Sequence, residues 1–109
     1  MSDLPHITQA TFPQEVLKSS DLVIADFYAP WCGPCKTLAP ILEEVSVAVA
    51  GKPVHIVKIN VDEEQQLAQQ YTVLSIPTIF FFKGGDVVEQ WNGVKTKREF
   101  LAKIDELLQ

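Results

Sequence analysis

The chain has two cysteines, and they stand three residues apart in Trp31-Cys32-Gly33-Pro34-Cys35-Lys36. A thiol pair at this spacing can close a small disulfide ring, supply half of a metal site, or cycle between dithiol and disulfide. A purely structural bond is a poor use of it, because closing so short a loop gives only about 2 kcal/mol before ring strain is subtracted. A closed tetrahedral zinc site needs four ligands. The remaining candidates, His6 and His55, are far apart in sequence and carry no ligand spacing, which leaves a metal site shared between two chains as the alternative.

Redox cycling fits the local physics better. If Cys32 caps a helix that begins at Gly33, Cys35 occupies the third helical position and its amide is the natural donor to the Cys32 sulfur. Pro34 adds no competing N–H. A helix N-terminus favours an anion by up to about 2 kcal/mol, and a thiol pKa fall of about 1.5 corresponds to the same energy. A reactive thiolate at Cys32 is therefore within reach. Cys32, outside the helix, is expected to be exposed, and Cys35, inside its first turn, to be shielded. The Cys32 thiolate would attack a disulfide on a partner, and Cys35 would resolve the mixed disulfide.

Cys35 must lose a proton to do so, which asks for a base. Asp26 interrupts an apolar run, where desolvation would raise its pKa, and it is the candidate proton acceptor. Lys58, also inside an apolar run, is the cation expected beside it. An edge-facing, solvated Asp26 and a solvent-reaching Lys58 are the alternatives.

These residues need a scaffold. Leu22 to Ala29 reads as a central strand covered on both faces, and Val54 to Val61 as a second. Apolar positions at helical spacing over residues 33–50, closed by Gly51, read as a long helix with a kink expected near Pro40. Thr11-Phe-Pro-Gln14 reads as the capped start of a short first helix running to about Ser19, and Asp62-Glu-Glu-Gln65 as the cap of another ending near Tyr71. Thr78 to Lys83, Gly84-Gly85 and Asp86 to Trp91 form a hairpin signature. Thr96-Lys-Arg-Glu99 is a capping box for a last helix that buries Phe100, Leu101, Ile104, Leu107 and Leu108. This order implies an α/β fold, a mixed sheet of about five strands with helices on both faces. The Ile76-Pro77 bond opens a strand, and trans is its statistical default.

Composition narrows the function classes. A chain of 109 residues with 47% hydrophobic content and a formal charge of -5 reads as a single globular domain over residues 1–109. Its basic residues form no block, which argues against a nucleic-acid or anionic-membrane surface. No apolar run reaches membrane-spanning length, and the first residues lack the features of a secretory signal, so a cytoplasmic location is expected.

Taken together, Asp26, Trp31-Cys-Gly-Pro-Cys35, Lys36, Pro40, Lys58, Ile76-Pro77-Thr78, Gly85 and Gly93 resemble the thioredoxin family over nearly the whole chain. Thioredoxins are a standing example of a Cys-x-x-Cys thiol with a lowered pKa. The resemblance implies a thioredoxin fold, a central five-stranded mixed sheet flanked by four α-helices, with the cysteines opening the second helix. It implies a protein-disulfide reductase with Cys32 as nucleophile, Cys35 as resolving thiol, and Asp26 and Lys58 in support. Pro77 would be cis. Trp31, Ile76, Pro77 and Gly93, with Gly33 and Pro34 in the motif itself, would form the client-docking surface, the backbone of Ile76 pairing with an extended client segment. No cofactor would be bound, since thioredoxin reductase would supply electrons from NADPH. Clients would include ribonucleotide reductase, peroxiredoxins and methionine sulfoxide reductases, met by a monomer. The competing function is a thioredoxin-like binding subunit whose thiols are dispensable. Departures from the family's common residues are Tyr28 in place of tryptophan, Leu74 in place of arginine, and Asn92-Gly93-Val94; Trp91 and Asn92 adjoin the docking surface.

Overall fold

The computed structural model describes residues 4–109. Its sheet contains β1 (Leu22–Tyr28), β2 (Val54–Asn60), β3 (Thr78–Lys83) and β4 (Asp86–Asn92), in the order β2-β1-β3-β4. β1 pairs in parallel with β2 and antiparallel with β3, and β3 pairs antiparallel with β4. The helices are α1 (Gly33–Ala48), α2 (Gln65–Gln70) and α3 (Lys97–Leu107), preceded by a short π-helical segment at Pro13–Leu17.

The sheet thus has four strands among the described residues, not five. A fifth is reduced to one parallel bridge between His6 and Lys58 at the free edge of β2. There the Lys58 N–H donates to the Pro5 carbonyl at 2.9 Å and the Ile7 N–H to the Lys58 carbonyl at 2.8 Å. Pro5 has no N–H to lengthen the ladder, and the chain turns away at Thr8 to Thr11.

β1 is the axis of the molecule because its residues Leu22 to Phe27 are all buried. Their side chains alternate between two cores. Leu22 and Ile24 face α1 and α3, meeting Leu38, Leu42, Phe100 and Ile104. Val23, Ala25 and Phe27 face the opposite layer, with Phe12, Leu67, Phe80 and Phe82. Burial of side chains this size is worth roughly 1.5–3 kcal/mol each against exposure, so the run has little freedom to shift register.

Two caps differ from expectation. Thr11 does not cap the first helix: its hydroxyl accepts the Thr8 N–H at 3.0 Å, and Phe12 stands at the N-cap position without a side-chain bond. That segment ends at Leu17, earlier than Ser19, with a wide-turn bond from the Lys18 N–H to the Pro13 carbonyl. Asp62 does not cap α2 either. Asn60 takes over the turn, its side-chain oxygen accepting the Asp62 N–H at 2.8 Å and the Glu63 N–H at 3.3 Å, which frees the Asp62 carboxylate for another partner.

The hairpin and last-helix signals hold. The β3–β4 turn has both Gly84 and Gly85 at positive φ, 60° and 86°, which suits the twist of a two-residue hairpin turn. A side chain at Gly85 would also meet the Leu17 carbonyl oxygen at 2.9 Å. α1 runs unbroken through Pro40. α3 opens on a complete capping box between Thr96 and Glu99 and buries Phe100 and Ile104, with Leu101, Leu107 and Leu108 packed against the core.

Candidate active site

β1 leads directly into the first turn of α1, and this junction carries the cysteines. Cys32 is the N-cap, in extended conformation, and its Sγ accepts the Cys35 N–H at 3.2 Å. Pro34 sits in the first turn and, lacking an N–H, offers the sulfur no competing donor. A disulfide joins Cys32 to Cys35, with their Cα atoms 5.2 Å apart. This is the short redox ring that the spacing allowed.

The expected contrast in exposure is absent: Cys32 is 5% exposed and Cys35 4%. Tyr28, Val61 and Ile76 pack against the pair and cover it, and the Ile76 carbonyl oxygen lies 3.8 Å from Cys32 Sγ. Exposure is concentrated on the rim instead. Trp31 is 68% exposed, and Gly33 and Pro34 are exposed beside it. The Trp31 indole N–H donates to Asp62 Oδ2 at 2.9 Å, which gives the carboxylate freed from α2 its partner.

Opposite the pair stands the loop before β3. The Ile76-Pro77 bond is cis, overturning the statistical default of trans, a preference of only about 0.5–1 kcal/mol that tertiary context can reverse. Thr78 is buried, and its hydroxyl donates to the Ser75 carbonyl. Asn92 adds side-chain bonds to Ser75 and Thr78, at 2.9 and 3.2 Å. Gly93, at φ 83°, donates its N–H to the Pro77 carbonyl at 2.9 Å. Trp91 packs edge-on against Phe81 and Phe100, so it covers the hairpin's inner face.

Asp26 and Lys58 stand side by side on the paired strands β1 and β2. Asp26 has the same strand parity as Ile24 and Tyr28, which places it on the face that carries α1. It is fully buried, and neither carboxylate oxygen accepts a hydrogen bond from any described residue. Burial pushes its pKa from the ordinary 3.8 up to about 7, while the positive charge of Lys58 pulls it partly back. Lys58 is the register partner of Asp26 on β2 and is 7% exposed. Its ammonium lies 4.2 Å from the centre of the Tyr28 ring. A cavity of about 110 Å³ touches Tyr28, Cys35, Lys36, Ala39 and Lys58, and it is roomy enough for a bridging water. Among the described residues, no group of three or more His, Cys, Asp or Glu side chains is placed to hold a metal ion.

The structure brings Cys35 and Lys58 to one cavity and sets Ile76 against the cysteine pair, and it adds two contacts that the sequence alone does not give. Tyr28 stands out in the sequence only as a departure from a common residue, although the two-residue period of β1 puts it on the same face as Asp26. Asp62 reads as a cap in the sequence and is the partner of Trp31 in the structure.

The Thioredoxin family model matches residues 3–106. Thioredoxin 1 of a Nostoc species is 46% identical over 97 residues, 89% of this chain and 90% of that protein. Thioredoxin of Haemophilus influenzae is 43% identical over 106 residues, 97% of this chain and 98% of that protein. A crystal structure of the Malassezia sympodialis thioredoxin Mala s 13, described as a member of a pan-allergen family, superimposes with a TM-score of 0.86. It has 33% identity and covers 100% of this chain and 94% of that one. These likenesses do not favour a subunit with dispensable thiols. With its cysteine pair at the head of α1, the chain belongs to the thioredoxin family and is a thiol–disulfide oxidoreductase, a protein-disulfide reductase that works through its own dithiol.

Proposed function

We propose that Cys32 is the nucleophile of this reductase, Cys35 the resolving thiol, and Asp26 the group that exchanges a proton with Cys35, the chain acting as one thioredoxin domain. The observation that carries this reading is the Cys35 N–H aimed at Cys32 Sγ at the start of α1, where backbone donors and the helix dipole favour a thiolate. In the reduced protein the Cys32 thiolate attacks one sulfur of a client disulfide, and the other client sulfur leaves as a thiolate. Asp26 takes the Cys35 proton, directly or through a bridging water. Cys35 then attacks the Cys32 sulfur, and the first client sulfur leaves in turn. The client ends as a dithiol and the protein as the Cys32–Cys35 disulfide.

A carboxyl whose pKa lies near 7 suits this task, because a proton shuttle works best when its pKa lies near the operating pH. Lys58 supports it by limiting how far burial disfavours the carboxylate. The exposed Trp31, with Gly33, Pro34, Ile76, Pro77 and Gly93, provides the docking rim, and a client strand pairs with the backbone at Ile76. The family is in general recharged by thioredoxin reductase; here NADPH would be the electron source, and ribonucleotide reductase, peroxiredoxin and methionine sulfoxide reductase the client classes. The described helices include none long and apolar enough to cross a membrane, and the scattered acidic charge suits a monomer working in the cytoplasm.

The test is reduction of insulin disulfides by the dithiol protein, run beside Cys35→Ser. The expected result is turnover by the wild type and a trapped mixed disulfide on Cys32 in the variant. A mixed disulfide formed through residue 35 in the corresponding Cys32→Ser protein, with none in Cys35→Ser, would reverse the two thiol roles.

A further inference from the structure

Lys58 lies on β2, one of the two edge strands of the described sheet, where a lysine would ordinarily extend into solvent. It does not: it is 7% exposed. Its ammonium is turned inward over the face of Tyr28, 4.2 Å from the ring centre. The Tyr28 hydroxyl in turn lies 3.2 Å from His6 Nδ1, and the two rings meet edge to face with centroids 6.0 Å apart. His6 is itself fixed to the same strand, because its neighbours Pro5 and Ile7 bracket Lys58 with backbone hydrogen bonds at the β2 edge. Ring, imidazole and edge bridge thus close a loop around the lysine.

We propose that Tyr28 is a positioning residue of the exchange reaction: its ring face, steadied by His6, holds the Lys58 ammonium in the cavity beside Cys35 instead of in solvent. Held there, the cation stays close to Asp26 and favours its carboxylate, the form that accepts the Cys35 proton. The proposal rests on the reading of Asp26 as the proton acceptor. Tyr28 supplies what a lysine needs when buried without an ion pair, a π-face that attracts a cation.

The charged and titratable groups around Asp26 come from several elements. β2 contributes Lys58; α1 contributes Cys35, with Lys36 at the same cavity; β1 contributes Tyr28. The N-terminal segment contributes His6 through its bond to Tyr28. Glu63, after β2, acts on the Tyr28 phenol, whose pKa is raised first by burial and next by that charge, so the hydroxyl stays protonated. β3 places Ile79, uncharged, opposite Asp26.

The experiment titrates the Asp26 carboxyl by carbon NMR in the disulfide form, where neither cysteine titrates, and measures the pH–rate profile of insulin reduction by the dithiol form. Tyr28→Leu and Tyr28→Met, which remove the aromatic face, should raise the carboxyl midpoint and the rising limb of the rate profile by about half a pH unit or more. Tyr28→Trp, which keeps a face for the cation, should restore most of the wild-type titration. Lys58→Met should give the same upward shift, and adding Tyr28→Leu to it should shift the midpoint no further. A midpoint unmoved in both Tyr28→Leu and Tyr28→Met would overturn the proposal, as would an equal Tyr28 effect in the absence of Lys58. The NMR titration reports the clamp on Lys58 directly. A failure of the base reading itself shows elsewhere, as an Asp26→Asn rate profile identical to wild type.

Discussion

Helices α1 and α3 both start from an extended residue whose side chain accepts the amide three residues on. Cys32 Sγ takes the Cys35 N–H at 3.2 Å, and Thr96 Oγ1 takes the Glu99 N–H at 3.1 Å. From there they diverge. In α3 the Glu99 carboxylate reaches back to the Thr96 N–H at 3.0 Å, and hydrogen bonds from Thr96, backbone first, hold its carboxyl below the usual range. The positive end of that helix is satisfied by a permanent anion. In α1 the first turn has no acidic residue, and Lys36 follows. The anion missing from that helix end is the one Cys32 can become. One local rule, the side-chain cap, therefore completes one helix for stability and leaves the other incomplete for reactivity.

The comparison can be broken most severely at its sulfur. Cys32→Ser puts a good oxygen cap in place of the thiol, so α1 should keep its start while insulin reduction is lost altogether. Measurable multiple turnover by that variant would sever helix cap from function. The next largest effect should come from the buried carboxylate that serves the sulfur end and has no counterpart at α3. Asp26→Asn should slow exchange near neutral pH by about tenfold or more. It should also stabilise the fold, with a defined pH dependence. The folded-state pKa of about 7 exceeds the ordinary 3.8, so between those values the native state holds a proton that the unfolded chain has released. Wild-type stability thus falls as pH rises through that window, by at most about 4 kcal/mol. The gain on substitution should reach about 2–4 kcal/mol near pH 8 and become small near pH 4, as read by urea unfolding at the two pH values.

Smaller effects sharpen the contrast. Thr96→Ala should cost about 1 kcal/mol in the same unfolding measurement and leave the rate of thiol exchange in place. A fall in exchange rate would mean that the two helix starts are not independent. Lys36→Glu gives α1 an acidic residue near its start, as α3 already has. It should raise the Cys32 thiol pKa by about half a unit, read from the pH dependence of alkylation.

Much of this was legible because the signals were local. The apolar run from Leu22 to Phe27, the Gly84-Gly85 turn and the Thr96/Glu99 box each contain their own explanation. Asp26 stood out because a carboxylate in such a run has few reasons to be there. What could not be read depended on distant partners. Thr11 looks like a cap until Thr8 takes its hydroxyl, and Asp62 looks like one until Asn60 takes over its turn and Trp31 claims its carboxylate. The fifth strand shrinks to the His6 bridge because Pro5 lacks a donor and the chain turns at Thr8. The cis bond at Pro77 followed from the family resemblance and not from the local sequence, since the residues that bind its loop, Asn92 and Gly93, lie in and just after β4. The burial of Cys32 escaped because position in a helix predicts direction and not what lies overhead; Ile76, Val61 and Tyr28 supply that cover.

The central claim is that the N-terminus of α1 makes Cys32 an anion under working conditions. Its most direct test is the pH dependence of Cys32 alkylation in the fully reduced protein, with Cys35→Ser as the single-thiol control. The account predicts half-maximal reactivity at least about one pH unit below the ordinary thiol value of about 8.5. A midpoint at or above that ordinary value, or a Cys32 that resists alkylation at every pH, would contradict it.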